Sequence, residues 1–285
     1  MKTYSKEPGA ERAETIFCPL CGSTIEKHLM LYDFKSYSFR KCSVCSLVFQ
    51  NPQPVFHDLS GRYDEEYFKY EIENEESFFS LMKLALDDIE FDKISFPAEP
   101  KKKSIIDVGC ATGRFLEHFR QKGWEVAGVE ICTAAAGYGN RVRNVNIRNC
   151  TLEKAGFPDK SATVVHASHL IEHLNDPVSF LAEAGRILSD NGYLILVTPN
   201  IAGFQSILFR SSWRSLIADH LLLYSGPTLE KLCTEQGFEL LRKKTWGGLA
   251  RGTAPVFVKK IIDKMAKKGG FGDVMIMLFK KRECP

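Results

Sequence analysis

Two sets of side chains in this chain are spaced for chemistry. The first is Cys18-Pro19-Leu20-Cys21 and Cys42-Ser43-Val44-Cys45, two C-x2-C pairs with twenty residues between them. Each pair can turn two sulfurs toward one ion, and four thiolates at this spacing predict a tetrahedral zinc site. With four protein ligands and no open position, its role is structural. A segment of about 35 residues with little core of its own needs such a staple. A redox C-x2-C is the competing reading; two such pairs at this separation favour metal. The second set is SIIDVGCATGRF, Ser104 to Phe115, with WEVAGVE, Trp124 to Glu130, after it. Asp107 stands near the end of a β-branched run. Gly109, Cys110, Ala111, Thr112 and Gly113 then form a loop of small residues that lets backbone approach a ligand. Glu130 lies 21 residues after Gly109, where nucleotide-binding α/β units place the acid for ribose hydroxyls. The G-x3-G spacing is poor for a dinucleotide pyrophosphate and suits a ligand with an amino acid end and a nucleoside end. Further on, His169, His173 and His220 are candidate general bases, since neutral imidazole is poised near working pH.

The elements that must position these groups alternate. Ile105, Ile106 and Val108 predict a strand buried on both faces. RFLEHFRQKG predicts a helix with Phe115, Leu116 and Phe119 inward and Gly123 past its end. Strands are expected at 124–130, weakly at 142–148, at 162–167, and at 193–197 after an Asp190-Asn191-Gly192 turn. Asn175 or Asp176 should cap a helix with Pro177 in its first turn. TLEKLCTEQ predicts a helix, and FELLRKKTW and 273–280 the last two strands. Before all this, Asn51-Pro52-Gln53-Pro54 reads as a linker, and residues from about Asp64 to Ile94 as a helix rich in acids and aromatics. The ribbon region, 16–50, is expected to hold short strands, 51–100 a linker and helical cap, and 101–285 the α/β domain.

DVGCATGRF followed by GVE resembles motif I and the acidic loop of class I S-adenosylmethionine-dependent methyltransferases. SHLIEHLNDP, with Glu172, His173, Asp176 and Pro177, resembles that family's stretch after its fourth strand. The resemblance covers roughly residues 60–285. It implies a Rossmann-like, seven-stranded, mostly parallel α/β sheet, here behind a small zinc-ribbon module. By the resemblance Asp107, Gly109, Cys110, Ala111, Thr112, Gly113, Phe115, Glu130, Ile131, Thr151, Leu152 and Ser168 would hold S-adenosyl-L-methionine. Thr151 and Leu152 stand where an acid is frequent, which leaves the adenine contact to other groups. The insertion at about 200–225 would build the acceptor pocket, and the helical cap would cover the cofactor, with Tyr63 and Tyr67 lining the site; core packing by an amphipathic helix is the plainer reading of these tyrosines. Relatives that methylate ring hydroxyls in ubiquinone synthesis carry a Glu-x-x-Glu-His triplet that can hold a divalent metal. Here it reads His169, Glu172, His173, so a metal there is a weaker expectation. The H-x-x-E-H string also matches an inverted zinc-protease motif, but that needs a long helix and this stretch starts at a strand end.

Length and composition bound the rest. The chain has 285 residues, 44% hydrophobic and 26% charged, which is ordinary for a globular protein. No apolar run approaches a membrane span and no signal segment is apparent, so a cytoplasmic location is expected. Net charge of +3 is too weak to argue for nucleic acid. The expected activity is methyl transfer to oxygen, less readily carbon, of a small molecule or sugar or natural-product precursor. The alternatives are a ribosomal or transfer RNA methyltransferase that uses the ribbon on RNA, and a non-catalytic zinc-ribbon binding protein. APVFVKKIIDKMAKK predicts a basic amphipathic helix. Its ordinary reading is an apolar face packed on the core under a solvated lysine face; weak contact with a membrane surface or lipidic acceptor is the other. The sequence leaves oligomeric state open.

Overall fold

The computed structural model describes residues 12–96, 103–248 and 255–282. Strand β1 (Ala13–Glu14) is followed by β2 (His28–Asp33), β3 (Ser38–Cys42), β4 (Val48–Gln50) and β5 (Gln53–Pro54). β1 pairs with β5, and β2, β3 and β4 form an antiparallel sheet. The stretch read as a linker is a buried strap. Asn51 is 1% exposed, and its side chain exchanges two hydrogen bonds with the Ile16 backbone, 3.1 and 3.0 Å.

Helix α1 (Phe56–Ser60) leads to α2 (Glu65–Asp88). Asp64 starts α2 by accepting from the Glu66 and Tyr67 amides, satisfying two of its free N–H groups. It stops short of the expected Ile94: Glu90 takes a left-handed backbone at φ 53, and one 3-10 turn follows at Phe91–Lys93.

The main sheet is built from β6 (Ser104–Val108), β7 (Glu125–Val129), β8 (Asn146–Arg148), β9 (Ala162–Ser168), β10 (Leu188–Pro199), β12 and β13. Helices α3 (Arg114–Gln121), α4 (Thr133–Val142) and α5 (Pro177–Ile187) follow β6, β7 and β9, and a 3-10 turn (Leu152–Lys154) lies between β8 and β9. Then come α6 (Phe204–Phe209), β11 (Leu222–Leu223), α7 (Gly226–Glu235), β12 (Phe238–Trp246), α8 (Val256–Gly269) and β13 (Val274–Lys281). Strand order is β12-β13-β10-β9-β6-β7-β8, with β13 antiparallel to both its neighbours and the β8-to-β10 set parallel. This is the seven-stranded, mostly parallel sheet that the sequence implies. Alternation along each strand splits the core. Ile106, Leu194 and Leu196 face α5 and α7, while Ile105 and Ile195 face α2 and α3.

Two local expectations are corrected. Val142 closes α4, and β8 begins only at Asn146, because the chain turns through a left-handed Asn144 at φ 52. Asp190-Asn191-Gly192 is no turn before a strand. β10 runs unbroken from Leu188, and these residues form an irregularity between Leu188, opposite Ala162, and Tyr193, opposite Val164. Asn191 supplies the positive φ of 59.

The small sheet is not closed on itself. β11, from the insertion after β10, pairs with β4 (Leu222 with Phe49, Leu223 with Val48), giving the order β11-β4-β3-β2. Cys18, Cys42 and Phe49 pack in one core cluster with Leu221, Leu222 and Tyr224. No helix among the described residues is long and apolar enough to cross a membrane.

Candidate active site and cysteine centre

The four cysteines meet. Cys18 Sγ lies 3.4 Å from Cys45 Sγ and Cys21 Sγ 3.6 Å from Cys42 Sγ, with all four sulfurs within 4.8 Å of one another. A tetrahedron of 2.3 Å zinc–sulfur bonds has edges of about 3.8 Å, so the donor set fits zinc. Burial raises the Cys42 thiol, but donors from Ser23 Oγ at 3.1 Å and the Cys45 and Val44 amides bring it down to about 6. Burial pushes Cys18 up to about 11. A cation shared among the sulfurs would hold all four as thiolates.

A cavity of about 710 Å3 opens at the C-terminal ends of β6, β7 and β9, where ligands bind in open α/β sheets. At one end lies the glycine loop. Gly109, Ala111 and Gly113 all take positive φ, 70, 45 and 74. A Cβ on Gly113 would meet Val145 Cγ2 at 2.8 Å, so only glycine fits there. Glu130 closes the loop from β7. Its carboxylate accepts from the Ala111 amide at 3.0 Å and the Cys132 amide at 2.8 Å. It is 3% exposed, and burial pushes its pKa up against those two bonds. Asp107, Gly109, Cys110, Ala111, Thr112, Phe115, Glu130, Ile131, Thr151, Leu152 and Ser168, expected to hold the cofactor, all border this cavity. Gly113 stands behind it as the residue before α3.

Asp107 has a partner that sequence reading missed. His166 sits opposite it on β9, with Nδ1 2.6 Å from Asp107 Oδ1, and its ring stacks on Phe115 at 4.3 Å. Both are buried and both border the cavity. Nothing local in TVVHAS signals the pair; the strand order makes it.

Helix α2 lies over the loop. Glu75 accepts from Thr112 Oγ1 at 2.8 Å and pairs with Arg143, which also pairs with Glu117 of α3. One turn back along the same face, Glu71 and Tyr67 border the cavity, with Tyr63 before the helix. Burial, then the charges of Glu130 and Glu75, push Glu71 up to about 8.

The opposite end holds the three histidines. His169 has a left-handed backbone at φ 51, fixed by its amide to Val197 O at 2.8 Å, and a half-exposed ring. Its Nδ1 lies 3.1 Å from Glu172 Oε1, and Glu172 Oε2 accepts from Thr198 Oγ1 at 2.9 Å. Burial alone would raise Glu172. The bond from His169 and the charges of His169, His173 and His220 overcome it and hold the carboxyl at about 2. Glu172 is therefore ionised near neutrality, so His169 Nδ1 carries the hydrogen it donates, and in the neutral ring Nε2 is the acceptor nitrogen. His173 Nδ1 donates to Asp219 O and His220 Nδ1 to Ser215 O, both at 2.8 Å. Their rings stand 4.8 Å apart. Burial, then His173, drive His220 down to about 3, so it stays neutral. Potential ligand atoms of Glu172, His173 and His220 lie within 4.8 Å of one another, so His220 stands in this cluster where His169 was expected.

Known proteins show the same frame. A family model described as a methyltransferase domain matches residues 83–243. A Mycobacterium tuberculosis protein named "Probable S-adenosylmethionine-dependent methyltransferase" is 30% identical over 104 residues, 36% of this chain and 38% of that one. A ubiquinone biosynthesis O-methyltransferase of Nitrosomonas europaea is 27% identical over 109 residues, 35% of this chain and 45% of its own. The chain thus spans less than half the length of these curated relatives. Among solved structures, an S-adenosylmethionine-dependent methyltransferase from Archaeoglobus fulgidus superposes with a TM-score of 0.53 at 21% identity, over 75% of this chain and 99% of that one. A chain of the Haloferax volcanii complex between the Trm112 methyltransferase activator and a methyltransferase gives 0.58 at 14% identity, over 78% and 96%. With a matched domain that takes in more than half of its residues, on a sheet of this order and around this glycine loop, the chain belongs to the class I S-adenosylmethionine-dependent methyltransferases.

Proposed function

We propose that this chain transfers a methyl group from S-adenosylmethionine to an oxygen of a small acceptor, a hydroxylated small molecule or a sugar or natural-product precursor, with His169 as general base. S-adenosylmethionine supplies an electrophilic sulfonium methyl. The residues must then orient, exclude water and take a proton. Glu130 and the 109–113 loop are suited to the nucleoside and amino acid ends, and α2 covers them. The observation that carries the reading is the His169–Glu172 pair. An ionised, fully buried carboxylate holds the Nδ1–H of a half-exposed imidazole at a cavity continuous with the glycine loop. That arrangement fixes the tautomer and leaves Nε2 to accept a hydroxyl proton. The name of the Nitrosomonas relative also supports oxygen as the acceptor atom.

A second reading concerns the same end of the cavity. His173 and His220 each donate Nδ1–H to a backbone carbonyl, which leaves Nε2 free, as metal-ligating histidines do. With Glu172 they would hold a divalent ion that orients acceptor oxygens, the chemistry of a catechol-like substrate. Zinc at the four cysteines would be structural.

The test is calorimetric titration with S-adenosylhomocysteine, then a mass-spectrometric screen of phenols, catechols and sugar hydroxyls for a gain of one methyl. Absence of both heat and thermal shift would sink the enzyme reading and leave a non-catalytic ribbon protein. Retention on RNA with a steep salt slope would favour the nucleic-acid alternative.

A further inference from the structure

Helix α8 presents four rows at i, i+4 spacing, and they differ in kind. Val258, Ile262 and Ala266 turn inward; Ala266 is fully buried and its carbonyl accepts from Thr245 Oγ1 of β12. Lys259 and Asp263 pair with each other, and Lys267 pairs with Asp88 of α2. That leaves two rows with nothing to do for the fold. Phe257, Ile261 and Met265 are 68%, 57% and 59% exposed. Beside them, Lys260, Lys264 and Lys268 make no ion pair among the described residues. The ordinary reading of the sequence, one apolar face packed inward, therefore accounts for three of the six apolar side chains described in this helix.

The charge is concentrated here as well. Five lysines against one aspartate give α8 a net +4, whereas the whole chain carries +3, so everything outside it sums to −1. An attraction to an anionic surface would thus be aimed by this one helix. Exposed apolar side chains recur next to it. The turn after α8 carries Phe271, 37% exposed, whose carbonyl accepts from the Phe204 amide at 2.8 Å, and α6, which begins there, exposes Ile207 and Leu208. From α6 the chain runs directly to Arg214, Ser215 and Ile217, which border the cavity at its histidine end.

We propose that α8 is an interfacial anchor that lays Phe257, Ile261 and Met265 into the surface of an anionic lipid bilayer while Lys260, Lys264 and Lys268 meet its headgroups. An apolar row flanked by an unpaired lysine row is the arrangement that binds in the plane of a membrane interface. Nucleic acid would leave the apolar row in water, and a hydrophobic protein partner would bury the lysine row without counter-charge.

The experiment is co-sedimentation of the full chain with vesicles of phosphatidylcholine, alone and with added phosphatidylglycerol. Binding to the mixed vesicles, weak binding to the neutral ones and release by salt are expected. The triple variant Lys260→Glu/Lys264→Glu/Lys268→Glu should lower partitioning by on the order of 100-fold. Phe257→Ser/Ile261→Ser should lower it about tenfold or more. Both variants change only exposed positions, and both should titrate S-adenosylhomocysteine as the parent does, so loss of the fold is told apart from loss of the anchor. Failure to bind mixed vesicles, equal binding to both vesicle types, or variants that bind as well as the parent would each overturn the proposal. So would RNA retention, or a self-association that Ile261→Ser abolishes, in place of vesicle binding. None of these outcomes depends on methyl transfer.

Discussion

Gln50, at the end of β4, donates its side-chain amide to the backbone carbonyl of His220 at 2.8 Å, across 170 residues. The same nitrogen reaches Ala218 O at 2.8 Å, and the Gln50 backbone amide donates to Leu221 O. On its other side the 216–222 segment is held by His173, through Asp219 O, and by the amide of Leu221 to Glu172 O at 2.7 Å. The cysteine-bearing sheet thus braces the segment that carries His220 to the cavity, from outside the cavity lining.

Gln50→Leu removes the donor and strands two buried carbonyls. It should cost about 2–3 kcal/mol in denaturant titrations. Zinc uptake at the four cysteines, the proposed metal centre, should be as in the parent, and S-adenosylhomocysteine should bind unchanged at the far end. Hydrogen exchange should speed up at 217–222 and stay as it was at 104–130. Uniform exchange across both segments would mean that the glutamine merely supports the whole fold.

Glu130 ties the glycine loop to β7 and borders the cavity, where we propose it meets the ribose of the cofactor. Glu130→Ala leaves the Ala111 and Cys132 amides without their acceptor and removes the carboxylate a ribose would meet. The loss of charged hydrogen bonds, on the order of 1.5–3 kcal/mol, should weaken S-adenosylhomocysteine about 10- to 100-fold by calorimetry. An affinity equal to the parent's would take Glu130 out of the cofactor site.

Features set by neighbours in sequence were legible in it. The glycine loop, the cap at Asn175 or Asp176, which the structure gives to Asp176, and the two C-x2-C knuckles each form within a few residues, so spacing pointed to them. The seven-stranded, mostly parallel sheet was implied by family resemblance, and with it came the cavity's location. What spacing does not carry are pairs made by folding. Asp107 and His166 are 59 residues apart and meet because β6 and β9 are neighbours. Thr112 meets Glu75 because α2 crosses the loop. His220 joins Glu172 and His173 only because β11 is held against β4. In α8 the periodicity was visible, but it cannot say which of two adjacent apolar rows turns inward.

His169→Ala deletes the proposed base while leaving Glu172 bonded to Thr198. Turnover of an acceptor found in the screen should fall by roughly 100- to 10,000-fold. Cofactor affinity should barely move, since the ring stands at the other end of the cavity. A variant that keeps the parent's rate would transfer the base role elsewhere or remove it.

Glu71 gives the molecule a pH dependence of stability. Its folded pKa, about 8, lies above the 4.5 of an ordinary glutamate, because burial and then Glu130 and Glu75 disfavour its charge. The folded state therefore holds a proton that the unfolded state releases between about 4.5 and 8. Its contribution is fully present below that window and is lost as pH rises through it. Glu71→Gln keeps the shape and cannot ionise. It should leave stability at pH 5 close to the parent's and raise it at pH 8.5 by about 2 kcal/mol, discounted for partial contact with solvent. Urea unfolding at the two pH values measures both. A variant that gains equally at each pH would place the effect in packing, and one that gains at neither would show that Glu71 reaches solvent and titrates as an ordinary surface acid.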